Sequence, residues 1–173
     1  MENIKSTDIQ GFVIKMAQRE DTSLILDFIK RLAEYERLSH EVVATEKDLD
    51  TFLFSDRAVA EVIIGYYENK PVGFALFFHN FSTFLGRRGI YLEDLFVLEE
   101  YRGRGFGKTL LTYLAKLDLE RDCGRLEWAV LNWNEPSILF YKSLGAKVMD
   151  EWLVNRLTGD TLKAVAQQFS GAQ

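Results

Sequence analysis

Apolar residues recur along this chain at two periods, and the switches between them mark out the elements. Phe12, Ile14 and Met16 alternate with other residues and predict a first strand, after a polar stretch at residues 1–10 that predicts a loose tail. Leu24, Ile25, Phe28, Ile29 and Leu32 fall on one helical face, with Asp21 at the cap position and an end near Tyr35. Residues 39–44, which hold His40 and Glu41, predict a connection. Thr45 and Asp48 fit a loose capping box that opens a second helix. Residues 58–67 and 71–78 predict two antiparallel strands joined by a turn at Glu68, Asn69 and Lys70, and residues 81–89 predict a loop.

Residues 90–97, read IYLEDLFV, are β-branched and aromatic and predict another strand. Leu110, Leu111, Leu114, Leu117 and Leu119 then resume a helical spacing over 109–119. A strand is expected over 125–131. A short helix follows, with Pro136 in its first turn, Asn134 or Glu135 near its cap, and Gly145 at its end. Residues 146–149 and 152–157 predict closing strands, and 158–169 a terminal helix. The order β, α, α, β, β, β, α, β, α, β, β predicts an α/β fold (α+β by some schemes). It is a mixed, mostly antiparallel central sheet of about six to seven strands flanked by helices on both faces.

The chain has 173 residues, 47% of them hydrophobic, which predicts one globular domain over 1–173 with a full core. A net charge of −5 argues against nucleic acid and favours cationic partners. One cysteine, Cys123, excludes an internal disulfide framework, and its place near a helix end reads as packing or a neutral surface position rather than catalysis. His40 and His79 show no metal-ligand spacing, so no metal is expected. The polar start and the lack of a membrane-length apolar run predict neither leader nor membrane partner, and a cytoplasmic location.

The chemistry centres on YRGRGFGKTLL at 101–111, between the predicted strand and helix. Gly103, Gly105 and Gly107 allow close backbone approach, the helix start offers N–H groups and a dipole, and Arg102, Arg104 and Lys108 add positive charge. Together these predict a phosphate or pyrophosphate site. Gly107, Lys108 and Thr109 suggest a P-loop, but Arg102 stands where that motif needs glycine. Gly103 and Gly105 suggest a dinucleotide loop, but Lys108 replaces its third glycine. Arg102, Gly105 and Gly107 match the pattern Q/R-x-x-G-x-G/A.

Glu93 and Asp94 lie on the strand before this loop, where adjacent residues face opposite sides, so at most one of them is expected to face a given cleft, either as a general base or as an ion-paired structural charge. Tyr141 can donate a proton to a leaving thiolate, because a phenol's ordinary pKa lies above a thiol's. Phe140, beside it, cannot. Tyr35 and Glu36 end the first helix. Glu127 and Ala129 share one face of the later strand, with Trp128 turned towards the core and Trp133 either exposed by position or packed against the loop.

The Q/R-x-x-G-x-G/A stretch resembles the acetyl-CoA loop of the GCN5-related N-acetyltransferases. YLEDLFV, YRGRGFG and WNEPSILFYKSLGA, with LAEYE at 32–36 and TEKDL at 45–49, resemble the spermidine/spermine (diamine) N-acetyltransferase subfamily, over about 12–166. That resemblance implies acetyl transfer to a small-molecule primary amine in a ternary complex, with Tyr141 as general acid and Glu93 as base through water. It implies acetyl-CoA binding by Leu95, Phe96, Val97, Arg102, Gly103, Arg104, Gly105, Phe106, Gly107, Lys108, Asn134, Glu135, Pro136, Ser137 and Tyr141. The acceptor would meet Tyr35, Glu36, Glu93, Asp94, Glu127, Trp128 and Ala129. A homodimer is also implied. Ser82 and His40 stand where acidic residues are common in the polyamine enzymes, which leaves a polyamine and a thialysine-like amino acid both open as acceptor. A non-catalytic CoA-binding module and an acetylase of protein lysines are the alternatives.

Overall fold

The computed structural model describes residues 4–169 and divides into two compact units, Met1–Ala129 and Val130–Gln173. Among the described residues six strands form, each within the first unit: β1 (Ile4–Ser6), β2 (Phe12–Met16), β3 (Glu61–Tyr67), β4 (Lys70–Ser82), β5 (Arg87–Val97) and β6 (Leu126–Trp128). They form one sheet in the order β1-β2-β3-β4-β5-β6, antiparallel throughout except for the parallel pairing of β5 with β6. Three helices accompany them: α1 (Thr22–Tyr35), α2 (Glu46–Phe54) and α3 (Phe106–Glu120).

Alternation along the strands sorts side chains onto two covered faces. Val62, Ile64, Phe74 and Phe96 meet Ile25, Phe28 and Leu32 of α1 in one buried cluster, where the Phe28 and Phe74 rings stack at 5.4 Å. Gly65, next to Ile64, turns to the other face. A Cβ there would stand 2.7 Å from the Phe12 ring, whose stacking on Phe106 of α3 at 4.3 Å needs that space. The capping box at α2 forms as expected: Thr45 accepts from the Asp48 N–H, and the Asp48 carboxylate accepts from the Thr45 N–H.

Several sequence expectations are corrected. Ile4–Ser6 is not part of a tail but an edge strand against Val13–Lys15, because the polar chain can satisfy its backbone on the open sheet edge. The 81–89 loop shrinks to residues 83–86, since β4 and β5 stay paired out to Ser82 and Arg87, and the Ser82 hydroxyl accepts from the Leu85 N–H. The strand expected over 125–131 keeps only Leu126–Trp128. The second unit holds α4 (Glu135–Ser143) and α5 (Gly159–Ala166), which match the two expected helices, but no strand forms over 146–149 or 152–157. Apolar alternation alone does not make a strand without a paired neighbour, and Val148, Met149, Trp152, Leu153 and Val154 are exposed.

Candidate active site

The β4–β5 ladder breaks its register at one point. Leu76 pairs with Asp94 and Phe77 pairs with Leu92, so Glu93 is the extra residue of a bulge. This corrects the expectation that Glu93 and Asp94 face opposite sides. Leu92 pairs across to Phe77, on the α3 face, where the Arg121 guanidinium lies 5.8 Å over the Phe77 ring. Phe96 lies on the α1 face. With one residue inserted between these two parities, Tyr91, Glu93, Asp94 and Phe96 all turn to the α1 side.

Glu36, at the C-cap of α1, completes an anionic group with the two strand carboxylates. Burial, then Glu93, then Glu36 push the Asp94 carboxyl up to about 7, and burial raises Glu36 as well. Glu93 is exposed while Asp94 is largely withdrawn from solvent. The row continues along the sheet. Burial first, then Glu93 and Glu127, raise the Tyr91 phenol, so Glu127 on β6 faces the same side. Trp128 is half-buried and Ala129 exposed at the end of β6.

β6 pairs only with Ile90, Tyr91 and Leu92. Past Leu92 that edge of β5 has no strand partner among the described residues. The Leu98 N–H donates to the Val72 carbonyl on the β4 side. Alternation then turns the N–H groups of Leu95 and Val97 to the open edge, where they can donate to a ligand carbonyl. Phe96 itself is buried against α1, so of the expected trio it contributes packing rather than an open N–H.

The glycine loop leads into α3 as expected. Gly103 and Gly105 have φ of +74° and +86°, and Gly105 is the N-cap. The first intrahelical bond runs from Thr109 N–H to Gly105 carbonyl, so the N–H groups of Phe106, Gly107 and Lys108 lack intrahelical acceptors. A Cβ at Gly103 would meet nothing within 4 Å, so the approach to this turn is open. These features fit a pyrophosphate. The three cations differ, however. Arg102 donates from Nε to the Val97 carbonyl at 2.9 Å and lays its guanidinium 4.5 Å over the Tyr35 ring and 5.5 Å over Phe96. Arg104 lies over Tyr67 and Tyr101. Lys108 is exposed and has no such engagement among the described residues.

In the second unit, Asn134 caps α4 by accepting from the Ser137 N–H at 3.4 Å, with Pro136 in the first turn. Tyr141 is half-buried one turn further on, its ring 5.2 Å from that of Phe140.

Three residues on the α1 face escaped sequence reading. Asn80 donates from Nδ2 to Glu127 Oε2 at 2.8 Å, Arg125 Nε lies 2.8 Å from the same oxygen, and Gly89 lies beneath both. Their signal was the register of the β4–β5 hairpin, which places Asn80 opposite Gly89. On the opposite face, Arg121 is paired with both Glu61 oxygens and donates to His79 Nε2, which leaves Nδ1 of that ring to donate to the Gly89 carbonyl. Cys123 is buried there and burial raises its thiol pKa, so its predicted packing role stands.

Among the described residues no helix is long and apolar enough to cross a membrane, and no group of three or more His, Cys, Asp or Glu side chains could hold a metal ion. Residues 29–146 match the family model described as the acetyltransferase (GNAT) family. The chain is 34% identical to an L-ornithine N5-acetyltransferase of Arabidopsis thaliana, over 88% of this chain and 86% of that one. It is 35% identical to a thialysine N-epsilon-acetyltransferase of Mus musculus, over 88% and 96% respectively. A solved integron cassette protein from the mobile metagenome of V. cholerae superposes with a TM-score of 0.78 at 28% identity, covering 92% of this chain and all of that one.

Proposed function

The chain belongs to the acetyltransferase (GNAT) family, and on that premise we propose that it moves an acetyl group from acetyl-CoA to the primary amine of a small molecule within one domain spanning 1–173. The observation that carries this reading is the bulge at Glu93. It turns two carboxylates to one face beside Glu36, next to a strand edge with open N–H groups. Acetyl-CoA supplies the acetyl group as a thioester. The N–H groups at 106–108, the open turn at Gly103 and the Lys108 ammonium hold its pyrophosphate. The N–H groups of Leu95 and Val97, on either side of Phe96, stabilise negative charge on the acetyl oxygen.

Glu36, Glu93 and Asp94 attract the acceptor's ammonium, and Glu93, through water, or Asp94 takes its proton. The free amine forms the N–C bond as the C–S bond breaks, and Tyr141 gives its proton to the departing sulfur. We assign Tyr141 this part on its chemistry and on the resemblance of its motif, and Asn134–Ser137 a part in binding acetyl-CoA on the same resemblance. Arg102 belongs to the site as a strut between the loop and Tyr35 rather than as a direct phosphate contact. A homodimer is supported by the exposed apolar side chains at Val148, Met149 and Trp152, and light scattering at twice the monomer mass checks it.

Incubation with acetyl-CoA and spermidine, thialysine, lysine or an aminoglycoside, with thiol release as the readout, tests the activity. Release with at least one amine is expected. Tight CoA binding with no release from any amine or lysine peptide would instead make this a binding module.

A further inference from the structure

Arg102 opens the glycine turn, but its side chain reaches away from it. The Nε–H donates to the Val97 carbonyl at 2.9 Å, and the guanidinium lies 4.5 Å over the Tyr35 ring and 5.5 Å over the Phe96 ring. These contacts join separate pieces of the site. Tyr35 is the last residue of α1, and Glu36 follows it as the C-cap. Val97 is the last residue of β5. Phe96 lies two residues along β5 from Asp94 on the same α1 face, roughly 7 Å at the rise of a strand. One planar cation therefore clasps the end of α1 to the stretch of β5 that carries Asp94.

The end of a helix is where such a clasp matters, because helix ends fray. Immediately after Glu36 the chain turns through Arg37 at φ +61°, in the left-handed region. Tyr35 packs, partly buried, against the cluster that holds Phe28 and Phe96, and the guanidinium stacks on that same ring.

We infer that Arg102 is a positioning residue for the acceptor: by clasping Tyr35 to β5 it holds the Glu36 carboxylate beside Asp94, so that the residue opening the cofactor turn also sets the amine site. The inference rests on the acetyl-transfer reading and adds a residue to its acceptor side. Arginine suits this task as lysine does not. Its plane can lie on a ring while its Nε–H donates within that plane, whereas an ammonium is a point charge on a flexible stem. The carboxylates register the result. Burial first, then Glu93 and Glu36, raise Asp94, and burial raises Glu36. Both the burial and the Glu36 contribution need the end of α1 closed on β5.

The titration of Asp94 supplies a sign that decides. A cation acting directly on a carboxylate lowers its pKa, so removing that cation would raise it. Removing a clasp does the reverse: Glu36 draws away, water enters, and Asp94 falls back towards an ordinary aspartate. We expect the Asp94 carboxyl, followed by NMR without either substrate, to titrate lower in Arg102→Ala than in wild type, and lower in Tyr35→Leu as well. Tyr35→Phe, which keeps the ring, should titrate as wild type does. In turnover, Arg102→Ala should raise KM for the amine about three- to tenfold, with smaller changes in kcat and in acetyl-CoA affinity by calorimetry. Adding Tyr35→Leu to it should bring little further loss, because both break one clasp. Arg102→Lys should resemble Arg102→Ala. An Asp94 midpoint that rises or does not move, or Arg102→Lys with wild-type values, would overturn the inference. So would a loss confined to acetyl-CoA affinity, which would make Arg102 a phosphate contact. No thiol release with any amine would overturn acetyl transfer itself, while the Asp94 titration would still decide whether Arg102 holds Glu36 in place.

Discussion

Asp94 couples protonation to stability. Its carboxyl is pushed up to about 7 by burial first and by Glu93 and Glu36 after it, while an unfolded aspartate titrates near 3.9. The native state therefore binds more protons than the unfolded state across the window from about pH 4 to pH 7, and stability falls as pH rises through it. Asp94→Asn, which stays neutral, should remove that fall. Its melting temperature should gain on wild type as pH goes from 5 to 8, by the equivalent of a few kcal/mol at most. A melting-temperature difference that does not change over this range would refute the buried charge. If Asp94 is the base, the same group predicts an acidic limb near pH 7 in kcat/KM for the amine.

Tyr141→Phe separates a second role at this scale. The substitution keeps the ring beside Phe140 and removes only the hydroxyl. Loss of a neutral hydrogen bond costs about 1 kcal/mol, or roughly fivefold, whereas loss of a general acid costs on the order of 10²–10⁴-fold in kcat. We expect the larger loss, with acetyl-CoA affinity held within about fivefold by calorimetry. A kcat within about fivefold of wild type would reduce Tyr141 to a packing residue.

Among the elements, the turn into α3 is the one proposed to hold the pyrophosphate. Gly105 caps the helix at φ +86°, a region closed to β-branched side chains, and its Cβ would stand 3.2 Å from Ile9. Gly105→Val should weaken acetyl-CoA binding at least tenfold by calorimetric titration while the far-UV spectrum of the sheet and helices persists. Unchanged affinity would remove this turn from the site. This element was legible in the sequence because glycine spacing and the return of the 3.6-residue period are local signals. So were the capping box at Thr45 and the cap at Asn134. The bulge was not. Whether a residue is extra in a ladder depends on the register of two strands, and nothing in LED itself records that Leu76 pairs with Asp94 while Phe77 pairs with Leu92. The contacts of Asn80 and Arg125 with Glu127 were hidden for the same reason, since Arg125 and Glu127 are 45 and 47 positions from Asn80 and meet it only through strand pairing. At 146–157 the failure runs the other way. Alternation promised strands, but a strand also needs an edge to pair with.

At the scale of the whole molecule, charge sets how the two substrates arrive. The chain carries −5 overall, and Glu36, Glu93, Asp94 and Glu127 concentrate negative potential on one face of the sheet, offset locally by Arg125. A cationic amine is drawn to that face, whereas acetyl-CoA, an anion, meets net repulsion and gains attraction only near the α3 turn and Lys108. Raising salt from about 20 mM to 500 mM shortens the Debye length from roughly 20 Å to about 4 Å, so long-range attraction and repulsion are both screened. We therefore expect kcat/KM for 1,4-diaminobutane, with two positive charges, to fall steeply with salt. The value for ornithine, with one net positive charge, should fall less. The value for acetyl-CoA should stay level or rise. Measured with the second substrate saturating, the three slopes separate steering from contact. A parallel fall for all three would mean that salt acts on the fold or on the pyrophosphate turn, and that the acidic face does not steer the acceptor.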